Sequence, residues 1–182
     1  NFTKMHGLGN DFVMIDLITQ GARLQKAHIQ RIADRKLGIG CDQVILVTSP
    51  TRGDADFFYK IFNADGQEVE QCGNGVRCAA KFFKDAGLTN KSTMIADCLG
   101  GTAKLIIEND EKVTVEWENN HSPIVRAQLN YPQLPKEIHS VSFGNPHGIC
   151  IVEDLNKTNV PEWGKILTKD PMFPNEANIS FV

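Results

Sequence analysis

Gln71-Cys72-Gly73-Asn74-Gly75-Val76-Arg77 sets a single thiol at the mouth of a helix. After it, Val76, Ala79, Ala80, Phe82, Phe83 and Ala86 recur at helical spacing, and Gly87 supplies the stop. Gly73 and Gly75 leave their backbone N–H groups uncovered by side chains. The unpaired N–H groups and the positive end of the helix dipole favour an anion, so the segment offers both a thiolate at Cys72 and a seat for a carboxylate. A free cysteine is most often a buried packing residue. The flanking glycines and the polar Gln71 and Asn74 set Cys72 apart from that use, whereas Cys41, Cys98 and Cys150, in or beside strand candidates, and Cys78, inside the helix, read as packing residues.

Strand candidates surround this helix. Asp11 to Asp16 and Gln43 to Thr48 are apolar runs of strand length, and Asp56 to Phe62 is rich in aromatics and ends in the turn Asn63-Ala64-Asp65-Gly66. Lys26 to Arg35 puts Ile29, Ile32 and Ala33 on one helical face. Met94 to Ala96, Thr102 to Glu108 and Lys112 to Trp117 read as a meander joined by Gly100-Gly101 and Asn109-Asp110-Glu111. A polar stretch punctuated by proline, residues 118–123, marks a linker between a domain at 1–117 and a second at 124–182. Pro132 and Pro135 predict an irregular stretch after it.

A weak internal repeat crosses that boundary. Gly9-Asn10 precedes a strand, a helix and a strand opening at Gln43. Gly144-Asn145 precedes the strand Gly148 to Val152, a helix from Pro161 to Thr168 and a last strand opening at Asn178. Asn10 to Gln43 and Asn145 to Asn178 are both 33 residues apart, as two copies of one unit require.

The 182 residues are 41% hydrophobic with a net charge of −3 and a pI near 6.0, and the basic residues are scattered. That pattern gives no footprint for nucleic acid or an anionic membrane, and no apolar run is long enough to span a bilayer. Five cysteines at irregular separations read as reduced thiols, which points to the cytoplasm. No segment completes a dinucleotide fingerprint, because Phe12, Gln43 and Cys78 stand where a third glycine belongs. Cys72 and Cys78 do not have zinc-knuckle spacing, so no metal is expected. His6 and His28 read as structural or solvent-facing, and a thiol paired with His6 or His147 stays open because such partners meet only in the fold. Asn10, Asn63 and Asn145 each sit in turn-forming context.

Taken in order, Met5-His6-Gly7-Leu8-Gly9-Asn10-Asp11-Phe12, Gly38-Ile39-Gly40-Cys41-Asp42-Gln43, Phe62-Asn63-Ala64-Asp65-Gly66, Gln71 to Arg77 and Gly144-Asn145-Pro146-His147 closely resemble the diaminopimelate epimerase family. The resemblance implies a cofactor-independent epimerase that interconverts LL- and meso-diaminopimelate on the way to lysine and peptidoglycan precursors. It implies an α/β fold in which a mostly antiparallel sheet wraps a central helix, in two pseudo-repeated domains with the substrate in the cleft between them. Cys72 would be one of two cysteines flanking the α-carbon. Asn10, Gln43, Asn63, Asn145 and Asn178 match substrate-binding positions, Gly73 and Asn74 present N–H groups to the α-carboxylate, and His147 assists proton transfer.

Family members are about half as long again, and the second Cys-Gly-x-Gly motif and a Glu-Arg pair are absent from these residues. The expectation is an N-terminal fragment with an incomplete second domain, inactive alone, whose unpaired sheet edge invites self-association or dimerisation. Three rivals remain open: a non-catalytic half-cleft module binding an amino-acid carboxylate or a complementary chain, a proline racemase-like isomerase, and a redox protein using Cys72 and Cys78. The motifs around the thiol and at Asn63 to Gly66 argue against the second.

Overall fold

The computed structural model describes residues 1–109, 112–118, 122–142, 146–174 and 176–182. The chain forms two compact units, Asn1–Glu118 and Asn119–Val182. The first contains β1 (Thr3–Gly7), β2 (Asn10–Asp16), α1 (Leu17–Gln20), α2 (Lys26–Ala33), β3 (Gln43–Thr48), β4 (Phe57–Asn63), β5 (Glu68–Val69), α3 (Gly73–Asp85), β6 (Thr93–Cys98), β7 (Gly101–Ile107) and β8 (Val113–Trp117). The second contains β9 (Val125–Gln128), β10 (Glu137–Ser142), β11 (Pro146–Cys150), α4 (Val160–Leu167) and β12 (Asn178–Phe181).

In the first unit the strands run in the order β1-β2-β3-β4-β6-β7-β8, with β5 on β4. The β2–β3 and β4–β6 pairs are parallel and the rest antiparallel. This sheet curls around α3, which touches β1, β2, β3, β6, β7 and β8. The central strands are apolar on both faces, as strands covered on both sides must be. Phe12, Met14, Ile45 and Val47 face the α3 core with Phe57, Tyr59 and Ile61. The alternate residues Val13, Ile15, Val44 and Leu46 pack under α2 with Ile29, Ala33 and Cys41. Along β7 Ala103, Leu105 and Ile107 point into the core, while Lys104 on the other face pairs across to Glu116. Among the described residues the strand order of this sheet ends at β1 on one side and β8 on the other.

The second unit is a four-stranded sheet in the order β12-β11-β10-β9, over a core of Leu129, Leu134, Ile138, Cys150, Leu167 and Phe173. Its logic repeats that of β1-β2-α2-β3. An antiparallel hairpin, β10–β11, leads through α4 to a parallel partner, β12. His147 pairs with Asn178 just as Phe12 pairs with Gln43 at the same sequence separation. The repeat is therefore one of backbone as well as of sequence.

Two features depart from the sequence reading. β1 is a strand because Met5 packs on the core and the two-residue turn Leu8-Gly9, with φ of 54° and 87°, folds it back on β2. The region after Pro132 and Pro135 is irregular only as far as residue 136, since β10 pairs with both β9 and β11 and buries Ile138 in the core of the second unit. Of the linker at 118–123, residues 119–121 lie outside the described residues. Ser122 is already tied to the second unit, its N–H donating to the Ser142 carbonyl at 2.9 Å and its Oγ accepting from the Ser142 N–H at 2.8 Å.

Candidate active site

Cys72 is the N-cap of α3, in extended conformation at φ −149° and ψ 118°. Its Sγ accepts the Gly75 N–H at 3.4 Å and the Asn10 amide Nδ2 at 3.7 Å. Donors converging on a half-buried sulfur are what a thiolate accepts. The N–H groups of Gly73 and Asn74 belong to the same first turn, where no preceding helical carbonyl is in position to accept them. A Cβ on Gly73 would meet nothing within 4 Å, whereas one on Gly75 would stand 2.9 Å from Ile45 Cδ1 and 3.1 Å from Ile61 Cδ1. Gly75 thus lets the helix start lie against β3 and β4, and Gly73 leaves the approach to the N–H groups open. Arg77 Nη2 donates to Asn74 Oδ1 and holds that side chain turned back along its own helix.

Asn10, Gln43 and Asn63 stand at one end of the sheet, at the start of β2, the start of β3 and the end of β4. Gln43 and Asn63 are register partners, with Gln43 Nε2 donating to Asn63 Oδ1 at 2.9 Å. Gln43 Oε1 is buried without a hydrogen-bond partner among the described residues, and so is Oε1 of Gln71, whose side chain lies against Gly100. Buried acceptors of this kind suit a ligand donor such as an ammonium group. The first unit therefore brings together Cys72 and Asn10, packs Gly75 of that helix start on β3 and β4, and pairs Gln43 with Asn63. In the second unit His147 on β11 and Asn178 on β12 are register neighbours. Asn145 lies outside the described residues.

The other thiols differ from Cys72. Burial pushes the Cys78 and Cys150 thiols up to about 11 and raises those of Cys41 and Cys98 as well. All five cysteines are unpaired. Burial holds the Tyr59 phenol well above its ordinary value, with Cys98 and Cys72 acting in the same direction. His28 does a structural job: its Nδ1 accepts the Gln25 N–H at 3.0 Å and closes a capping box on α2, and His6 is exposed. Among the described residues no group of three or more His, Cys, Asp or Glu side chains could hold a metal, and no helix is long and apolar enough to cross a membrane.

The sequence reading passed over Asp11, Asp42 and Arg35, which tie together the strand ends beside Asn10 and Gln43. The available signal was an aspartate next to each of those two polar residues at corresponding points of β2 and β3.

Residues 2–121 match the family model described as diaminopimelate epimerase. A diaminopimelate epimerase from Pseudomonas aeruginosa LESB58 is 42% identical over 194 residues, an overlap that takes in 100% of this chain and 70% of that protein. The chain belongs to the diaminopimelate epimerase family. A diaminopimelate epimerase from Nitrosospira multiformis is likewise 42% identical over 192 residues, covering 100% of this chain and 69% of that one. A solved probable proline racemase from Agrobacterium radiobacter K84 superposes with a TM-score of 0.67 at 14% identity, over 99% of this chain and 65% of that one, which is a likeness of fold. Diaminopimelate epimerases thus supply the sequence relationship, and the racemase shares the architecture.

Proposed function

We propose that these residues form the Cys72 half of a cofactor-independent, thiol-based epimerase acting on diaminopimelate. The reading is carried by Cys72 Sγ at the N-cap of α3, within reach of the Gly75 N–H and the Asn10 amide. A thiolate at that sulfur would take the α-proton from one face of the substrate and become a thiol, while a second thiol gives a proton to the opposite face. An α-proton beside a carboxylate is very weakly acidic, so the developing charge needs fixed donors in a site from which water is excluded. The N–H groups of Gly73 and Asn74 supply such donors for the α-carboxylate, and Gln43 Oε1 with Asn63 supplies acceptors and donors for the amino-acid head group. In the second unit His147, Asn178 and Asn145 take the assisting and binding roles of the family pattern.

The 182 residues hold no second Cys-Gly-x-Gly run, so the reading assigns them no turnover without a partner thiol. The edge strands β1 and β8, without a further strand partner among the described residues, favour association with another chain or a second copy. Five unpaired thiols fit a reducing compartment, and the reading puts the protein in the cytoplasm. A redox pair of Cys72 and Cys78 is disfavoured by the burial and raised pKa of Cys78.

Thiol labelling of the folded chain tests this half-site directly. Iodoacetamide is expected to alkylate Cys72 well ahead of the four buried cysteines. Meso-diaminopimelate is expected to slow that reaction, and 1,5-diaminopentane, which has no carboxylates, is expected not to. Equal labelling of Cys78, or protection by the carboxylate-free diamine, would contradict the proposal.

A further inference from the structure

Asp11 and Asp42 stand next to Asn10 and Gln43 and clasp one another. The Asp11 N–H donates to Asp42 Oδ2 at 3.0 Å, and the Asp42 N–H donates to Asp11 Oδ1 at 2.7 Å and to the Asp11 carbonyl at 3.1 Å. Two carboxylates this close repel unless a cation joins them. Arg35, just beyond α2, does so: Nη1 donates to Asp11 Oδ2 at 3.0 Å, and Nη2 donates to Asp11 Oδ1 at 2.7 Å and Asp42 Oδ1 at 2.8 Å. Lys4 Nζ on β1 adds a contact to Asp11 Oδ2 at 2.9 Å and donates to the Gly40 carbonyl. Arg35, more than any other group, holds the Asp11 carboxyl well below the usual carboxylate range.

The place of Arg35 is itself fixed by the backbone. Asp34 Oδ1 accepts the N–H groups of Lys36 at 2.7 Å and Leu37 at 2.8 Å. Gly40, at φ +79°, lies so close that a Cβ there would stand 2.9 Å from Arg35 Cα. Regular pairing of β2 with β3 starts only at Phe12 and Gln43, one rung inside the clasp. The aspartates and their arginine extend the ladder to the point where Asn10 and Gln43 leave it.

We propose that Arg35 is a positioning residue of the site: by bridging Asp11 and Asp42 it fixes the ends of β2 and β3, and so holds the Asn10 amide beside Cys72 Sγ and Gln43 beside Asn63. The inference rests on the proposed role of Asn10 at Cys72. Lysine cannot replace Arg35, because a point charge lacks the planar fork that serves two carboxylates at once.

The test is the alkylation rate of Cys72 by iodoacetamide in the 182-residue chain at neutral pH, with melting curves showing each variant folded. Asn10→Ala is expected to slow the reaction about threefold, through loss of a donor to the sulfur. Arg35→Ala and Arg35→Lys are expected to slow it by a similar factor, with faster amide exchange at Asp42. The double variant Arg35→Ala/Asn10→Ala is expected to be no slower than Asn10→Ala, because Arg35 acts through Asn10. If Arg35→Ala proves unfolded, Arg35→Lys and Asp42→Asn carry the same test. A wild-type rate in the Arg35 variants beside a slowed Asn10→Ala, or additive effects in the double variant, overturns the inference alone. A wild-type rate in Asn10→Ala overturns the role of Asn10 at Cys72 and the inference with it.

Discussion

Cys72→Ser is expected to lower epimerisation by a factor of about 10² to 10⁴, the usual span for losing a positioned acid/base group, in an assembly where the second thiol is supplied. The fold is expected to survive. Cys72 caps α3 by accepting the Gly75 N–H, and serine is a favoured residue at a helix N-cap, so the helix keeps its first turn. What changes is the chemistry, since a hydroxyl is far less acidic than a thiol and cannot serve as a base near neutral pH. Measured together, melting temperature and epimerisation rate separate the two effects. An active serine variant would place the proton transfer elsewhere.

Phe57→Ala is expected to have the largest effect on stability. Phe57 is fully buried on β4, with its ring centroid 4.6 Å from that of Phe83 on α3 and 6.4 Å from that of Tyr59. The Phe83 contact ties the far end of the helix to the sheet, as the close approach at Gly75 ties its start. Truncating a buried phenylalanine costs about 3–5 kcal/mol. For a unit of this size that lowers the melting transition by roughly 10–20 °C. Thermal unfolding followed by circular dichroism checks it. A shift below a few degrees would mean that the α3 core does not hold the first unit together.

Much of this was legible in the sequence, for physical reasons that can be traced residue by residue. The α3 helix is announced by its apolar spacing, its N-terminal glycines and Gly87, which takes a φ of 71° just past the helix end. Gln43 to Thr48 reads as a strand because both of its faces are covered, which leaves an unbroken apolar run. The repeat was legible because the parallel pairs β2–β3 and β11–β12 need the same length of chain between them. β1 and β10 were not. Each is a short strand whose sequence carries no alternating pattern: β1 is mostly exposed, with polar residues at Thr3, Lys4 and His6, and β10 buries Ile138 and Val141, three residues apart and so on opposite faces, after a proline-marked approach. The clasp of Asp11, Arg35 and Asp42 was hidden for another reason, since its three charges come from separate elements and meet only when β2 and β3 pair.

Solvent deuterium incorporation at the α-carbon of diaminopimelate tests the central claim most directly, because a thiol-based epimerase must exchange that proton each time it acts. The 182-residue chain alone is predicted to incorporate none. Adding a separately expressed C-terminal segment of a close relative, which brings a second cysteine, is predicted to start exchange and epimerisation together, and Cys72→Ser is predicted to stop both. Exchange by the chain alone, or exchange that persists without Cys72, would contradict the assignment of Cys72 as one of two acid/base thiols.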